Sequence, residues 1–221
     1  MGRVGPRSSA FVRAQQSCFG FDAPAIDGLF FALFPDDAGA AALARTAQQL
    51  CIRHRIGART IAPERLHVSL FGLGKHAGLP SGRIATLIEI AEAIAVSPFD
   101  VVFDRANSFA GRPRPLVLRG GEGMESLVAF QRRLGGAIQD RGLGRTKTPY
   151  TPHLTLMYDD RAIEEHAIEP VRWTVKEFVL VHSLLGRSRY IPLGRWPLRA
   201  PQPARKLSGD VDFRQRRSSF R

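Results

Sequence analysis

The tetrapeptide His67-Val68-Ser69-Leu70 has a second copy, His153-Leu154-Thr155-Leu156, and both read histidine, apolar, hydroxyl, apolar. In a strand alternate residues share a face, so each segment has an apolar back and a histidine–hydroxyl front whose two members lie ~6.6 Å apart. Two such strands must bury their backs in a core and leave their fronts to an open surface. Set side by side, the fronts form a small square of two imidazoles and two hydroxyls. A given histidine acquires this pattern by chance about 2% of the time at average composition, and two of six do so in under ~1% of chains. The competing explanation is a pair of edge strands with polar outer faces, and the double occurrence weighs against it.

The rest of the chain supplies elements to carry such strands. Leu29 to Phe34 reads as a buried strand, and Pro35-Asp36-Asp37 then opens a helix to about Arg55, with Leu43, Ala47, Leu50 and Cys51 on one face. Pro63 precedes the strand Arg65 to Leu73, and Pro80-Ser81-Gly82 opens a second helix over 82–96. Phe99 to Phe103 and Leu116 to Leu118 read as a strand pair around a Gly/Pro/Arg turn. A third helix, Met124 to about Arg141, spaces Leu127, Phe130, Leu134 and Ile138 along one face. The polar loop Gly142 to Pro152 leads into the strand His153 to Tyr158, and Trp173 to Leu184 with Tyr190 to Leu198 reads as a closing strand pair. Strands outnumber helices without regular alternation, which favours an α+β fold over a doubly wound one.

At 221 residues, the chain suits one domain or one domain in two lobes. We expect a flexible leader over 1–24, the domain over 25–199 and a basic, disordered tail over 200–221. No apolar run reaches the ~20 residues of a membrane span, and no signal segment is recognisable, which points to the cytoplasm. Cys18 and Cys51 cannot frame a disulfide network or a cysteine-based zinc site. The formal charge is +12, of which residues 11–200 hold +6. A basic body suits a polyanionic partner such as nucleic acid, although a general arginine bias would give the same total.

Both tetrapeptides match the H-x-[ST]-x signature of the two-histidine phosphoesterases, and the chain resembles their bacterial 2′-5′ RNA ligase-like and RNA 2′,3′-cyclic phosphodiesterase members. The flanks agree: Pro63 to Gly74 (PERLHVSLFGLG), Thr151 to Leu156 (TPHLTL), the opening LFFALFPDD, and Ser183 to Tyr190 (SLLGRSRY). The resemblance covers roughly 27–198. It implies a bilobal α+β fold with two pseudo-symmetric antiparallel sheets flanking a central cleft and helices outside. It also implies hydrolysis of RNA 2′,3′-cyclic phosphate ends to 2′-phosphates, together with a reversible 2′-5′ RNA ligase activity. The family's second motif often continues as H-x-T-x-x-R, whereas here Met157-Tyr158 follows Leu156, so the cation that clamps phosphate must come from elsewhere.

The residues suit that chemistry. Histidine's unperturbed pKa of ~6.5 lets one copy act as base while the other acts as acid. Ser69 and Thr155 can donate hydrogen bonds to phosphate oxygens. We therefore expect His67, Ser69, His153 and Thr155 to be catalytic, with no metal and no cofactor. Arg187, Arg189, Tyr190 and Tyr150 are expected to bind substrate, against the alternatives of solvated arginines and packed tyrosines. Arg65 and Lys75 read as solvated strand-end charges. The expected partner is RNA ending in a 2′,3′-cyclic phosphate or carrying a 2′-5′ linkage, bound by a monomer. Two other functions fit the sequence: a cyclic phosphodiesterase for small nucleotides such as an ADP-ribose cyclic phosphate, and an RNA-end-binding protein without turnover.

Overall fold

A computed structural model of the chain describes residues 26–144 and 149–200. The expected leader 1–24, the tail beyond Ala200, Cys18 and the middle of the loop Gly142–Pro152 lie outside the described residues. The elements run β1 (Ile26–Leu33), α1 (Asp37–His54), β2 (Val68–Ala77), α2 (Ser81–Glu92), β3 (Phe99–Ser108), β4 (Arg114–Arg119), α3 (Glu125–Asp140), β5 (Leu154–Asp159), β6 (His166–Val175), β7 (Glu177–Leu184) and β8 (Arg189–Pro197). The fold is α+β. Among the described residues no helix is long and apolar enough to cross a membrane.

Eight strands form one sheet in the order β6-β3-β4-β5-β2-β1-β7-β8, and every neighbouring pair is antiparallel. The sheet divides into two four-stranded halves that meet between β5 and β2 at a single residue pair, Val68 with Leu154. Each half contains the same unit of strand, helix and motif strand: β1-α1-β2 in one, β4-α3-β5 in the other. The internal registers correspond as well. Leu33 pairs Val68 and Ala32 pairs Ser69, while Leu118 pairs Leu154 and Val117 pairs Thr155. Both ladders then slip by one residue, at Leu70 and at Leu156, before resuming at Phe31–Phe71 and Leu116–Met157. Such a bulge sharpens local twist. Its occurrence at the same step of both units makes the halves pseudo-equivalent around the Val68–Leu154 pair.

The helices cover one face of this sheet. In α1 the Asp36 side chain accepts the Gly39 N–H at 2.8 Å, satisfying a first-turn donor, and Arg55 ends the helix in the left-handed conformation. Leu43, Ala47 and Leu50 of α1 and Leu127, Phe130, Leu134 and Ile138 of α3 then join Leu33, Val68, Leu70, Leu154 and Leu156 in the main core. The expected faces of both helices are buried except at Cys51, which is half-buried against the core.

One expected element divides in two. The run Trp173 to Leu184 is not one strand but the end of β6 and the whole of β7, separated at Lys176. These strands pair on different halves, β6 with β3 and β7 with β1 and β8. The burial pattern explains the join: Val171, Trp173 and Val175 alternate as an edge strand does, whereas Phe178 to Ser183 are all buried. Pro170 also fits an edge, where a missing donor is tolerated. Pro63–Arg65 forms a 3-10 turn, so β2 begins at Val68 rather than Arg65.

Leu154 is fully buried where the halves meet. Leu154→Ala should lower unfolding free energy by about 2–5 kcal/mol, measured by denaturant titration; a loss under ~1 kcal/mol would mean that the junction is not tightly packed.

Candidate active site

Val68 and Leu154 point into the core with no exposed surface. Their chain neighbours must therefore turn to the opposite face, away from the helices. Across this antiparallel junction the residue before Val68 is set against the residue after Leu154, and the converse. His67 thus faces Thr155, and Ser69 faces His153. The imidazoles occupy one diagonal of the square and the hydroxyls the other. Each histidine immediately precedes its strand, β2 or β5, rather than lying within it.

Both rings are anchored in the same way. His67 Nδ1–H donates to the Arg65 carbonyl at 2.7 Å, and His153 Nδ1–H donates to the Thr151 carbonyl at 2.8 Å. A bond from Nδ1–H to a carbonyl fixes the tautomer and leaves Nε2 as the reacting nitrogen. His67 Nε2 accepts from Ser69 Oγ–H at 3.1 Å, which places histidine and hydroxyl on one face as the strand period requires. The 3-10 turn at Pro63–Arg65 delivers the first carbonyl.

The surroundings of the two rings differ. His67 is walled by Phe30, Phe34 and Tyr190, with ring centroids 5.1, 5.9 and 5.4 Å away. Phe30, Phe34 and Tyr190 pack on Ala32, Val179 and Val181, a second apolar cluster on the face opposite the main core. His153 has Phe109 beside it at 5.0 Å. Burial is the main influence on His67 and holds its pKa below the ordinary value. The hydrogen bond to Arg65 pulls it up, and the charges of Arg65 and His153 push it down. The two histidines are therefore close enough for charge on one to disfavour charge on the other.

The arrangement can perform paired proton transfer around a bound oxyanion. His67 is favoured as the neutral imidazole, and its Nε2 lone pair, which accepts from Ser69, is the atom that can take up a proton. Ser69 and Thr155 flank the position between the rings as hydroxyl donors. Among the described residues no group of three or more His, Cys, Asp or Glu side chains is disposed to hold a metal ion.

The expected binding residues separate. Tyr190 stands against His67, and Arg189 lines the adjoining groove. Arg187 is exposed in the β7–β8 turn. Tyr150 packs against the main core and lines a pocket with Gln131, Gly135 and Gln139 of α3, so the structure does not group it with the histidines. Its hydroxyl is buried without a hydrogen-bond partner among the described residues, and burial pushes its pKa up. Phe30, Phe34 and Phe109 were not expected as walls of the site. Arg65, expected to be solvated, is half-buried with its guanidinium 5.0 Å over the Tyr190 ring. His182 hydrogen-bonds Asp27 at 2.6 Å in the buried layer and belongs to the fold rather than to the cleft.

Comparison with known proteins places this geometry among relatives. The model of the 2′-5′ RNA ligase superfamily matches residues 32–187, which include both tetrapeptides. An RNA 2′,3′-cyclic phosphodiesterase of Escherichia coli (strain K12) is 30% identical over 146 residues, which are 63% of this chain and 80% of that protein. The crystal structure of E. coli LigT complexed with 3′-AMP superposes with a TM-score of 0.62 at 27% identity, covering 78% of this chain and 98% of that one. The crystal structure of TT0787 of Thermus thermophilus shares the fold, with a TM-score of 0.58 at 24% identity over 79% of this chain and all of that one.

Arg65→Ala removes a positive charge beside His67 but keeps the backbone carbonyl that holds Nδ1. The His67 pKa should rise in the variant and still remain below the ordinary value because burial persists, as read by an NMR pH titration of the ring. An unchanged or lower pKa would contradict the electrostatic role of Arg65.

Proposed function

The chain belongs to the 2′-5′ RNA ligase superfamily, and from that premise we propose that it hydrolyses RNA 2′,3′-cyclic phosphate ends to 2′-phosphates, with His67 as general base and His153 as general acid. The observation that carries this reading is the pair of motif histidines set on one face across the Val68–Leu154 rung, each with its Nδ1–H held by a backbone carbonyl. The name of the E. coli relative and the 3′-AMP bound to LigT support a nucleotide substrate.

In this mechanism His67 Nε2 takes a proton from water as the water oxygen forms a bond to phosphorus. The bond from phosphorus to the 3′-oxygen breaks, and His153 Nε2–H protonates that oxygen. The products are a free 3′-hydroxyl and a 2′-phosphate. Ser69 Oγ–H leaves His67 and, with Thr155, donates to the non-bridging oxygens, where negative charge is held in the transition state. Burial of His67 supports its assignment as base, since its charged form is the disfavoured one. Arg65 stands in for the clamp arginine of the H-x-T-x-x-R pattern, whose position is Tyr158 here. Tyr190 and Arg189 hold the nucleoside end. Both proton transfers are assigned to side chains of one chain, so neither a metal nor a second copy is needed. With a 5′-hydroxyl in place of water, His67 takes its proton as its oxygen bonds phosphorus, the bond to the 3′-oxygen breaks and His153 protonates that oxygen, and the product is a 2′-5′ linkage.

The test uses a short RNA ending in 2′,3′-cyclic phosphate, with EDTA present. The wild type should release a 2′-phosphate end, and His67→Ala and His153→Ala should each lower kcat/KM by ~10²–10⁴. Turnover undiminished in either variant, or none by the wild type on this RNA and on cyclic mononucleotides, would refute the reading; salt-sensitive binding without turnover would favour an RNA-end-binding protein.

A further inference from the structure

Two arginines, Arg65 and Arg119, carry a buried Nε–H without an acceptor among the described residues. The first stands beside His67, and the sheet register sets the second beside the other motif histidine. Leu118 of β4 pairs with Leu154 of β5, and both are fully buried in the main core. Carried one residue further, the antiparallel register brings Arg119 against His153 on the cleft face, ~5 Å away across neighbouring strands. Arg105 of β3 pairs with Arg119 and extends the same row. Glu165, just before β6, closes it, accepting from Arg119 Nη1–H at 2.9 Å and from Arg105 Nη1–H at 3.2 Å. Arg105 has a second acidic neighbour, Asp104, at 3.8 Å, whereas among the described residues Arg119 has no ion-pair partner but Glu165. Arg119 thus spends one N–H on a shared, partly exposed carboxylate and leaves its Nε–H unpaired.

We propose that Arg119 is a substrate-contacting residue, which turns from Glu165 to set its Nε–H and Nη–H fork on the phosphoryl oxygens at the His153 side. The inference rests on the cyclic-phosphodiesterase reading and adds a residue to it. Glu165 is the counter-ion that the arginine gives up when the phosphoryl group arrives. Ion pairs at this exposure hold weakly, whereas a guanidinium fork on a phosphoryl group is a strong, charge-assisted contact. Arg105 keeps Glu165 paired once Arg119 has turned. The reaction calls for such a cation. As water adds, a second negative charge develops on the phosphoryl oxygens, and the 2′-phosphate product retains it. Ser69 and Thr155 are neutral donors, and Arg65 serves the His67 side. Arg119 supplies positive charge on the other side from β4, although β5 carries Tyr158 where an arginine would follow the motif.

The experiment titrates inorganic phosphate into wild type, Arg119→Ala, Arg119→Lys and Glu165→Gln, reading the His67 and His153 ring resonances, and measures kcat/KM on the cyclic-phosphate-ended RNA in each. Arg119→Ala should weaken phosphate binding and lower kcat/KM by ~10-fold or more, the scale of one charge-assisted hydrogen bond. Arg119→Lys keeps the charge but not the fork, and should recover part of both losses. It also keeps the test decisive should the alanine variant fail to fold. Glu165→Gln removes the competing carboxylate and should tighten phosphate binding by ~2–5-fold, the scale of a partly exposed ion pair given up. A purely structural ion pair predicts the same direction of change in Arg119→Ala and Glu165→Gln, in step with lost thermal stability. That result, or phosphate affinity and kcat/KM unchanged in both Arg119 variants, would overturn the contact while leaving the cyclic-phosphodiesterase reading intact. Opposed shifts in phosphate affinity without turnover by the wild type would refute that reading and leave Arg119 as the anion-binding residue.

Discussion

The pairing of Val68 with Leu154 is the constraint on which the rest of this molecule depends. Among the described residues it is the one rung between the two halves of the sheet, and both members are fully buried. Because these side chains go to the core, their neighbours go to the cleft, and because the pair is antiparallel, each histidine meets the hydroxyl of the other motif. A slip of one residue at this rung would send the histidines into the apolar layer. The bulges at Leu70 and Leu156 lie two residues beyond the rung on either strand, at the same step of each half, where they sharpen the local twist.

Pseudo-symmetry alone would give two equivalent histidines, and equivalent groups do not divide naturally into acid and base. The side chains around them break the equivalence. Phe30, Phe34 and Tyr190 enclose His67, and Arg65 adds a positive charge beside it, so its imidazolium is disfavoured. Phe34 follows Leu33 in β1 as Arg119 follows Leu118 in β4, so equivalent positions hold a ring beside one histidine and an arginine in the other half. The same aromatic wall continues into the groove.

Much of this was legible in the sequence because it rests on short-range periodicity. The two tetrapeptides, the core faces of α1 and α3 and the α+β class all follow from which residues alternate or recur at helical spacing. The division of Trp173–Leu184 into β6 and β7 was not legible, because the apolar pattern is nearly continuous through Lys176 and only the pairing partners change. Arg65 was misread for a related reason: its neighbour Tyr190 comes from the far end of the chain, and sequence spacing carries no signal of that contact. Tyr150 is close to the second motif in sequence, yet it packs against α3, since a residue three before the second-motif histidine is directed by its loop rather than by the strand period. The roles of Arg187, Arg189 and Tyr190 depend on substrate, and their sequence positions indicated only that they share the closing hairpin.

The most direct test of the central claim, that one buried rung makes two unequal histidines into an acid–base pair, is the pH dependence of kcat/KM on a cyclic-phosphate-ended RNA in wild type and in each single histidine variant. The account predicts a bell in the wild type, with the acidic limb below the ordinary histidine value because His67 must be neutral and its pKa is depressed. Residual activity of His67→Ala should lack the acidic limb, and that of His153→Ala should lack the alkaline limb. Loss of the opposite limb in each variant would reverse the assignment, and persistence of both limbs in both variants would show that these histidines are not the acid and the base.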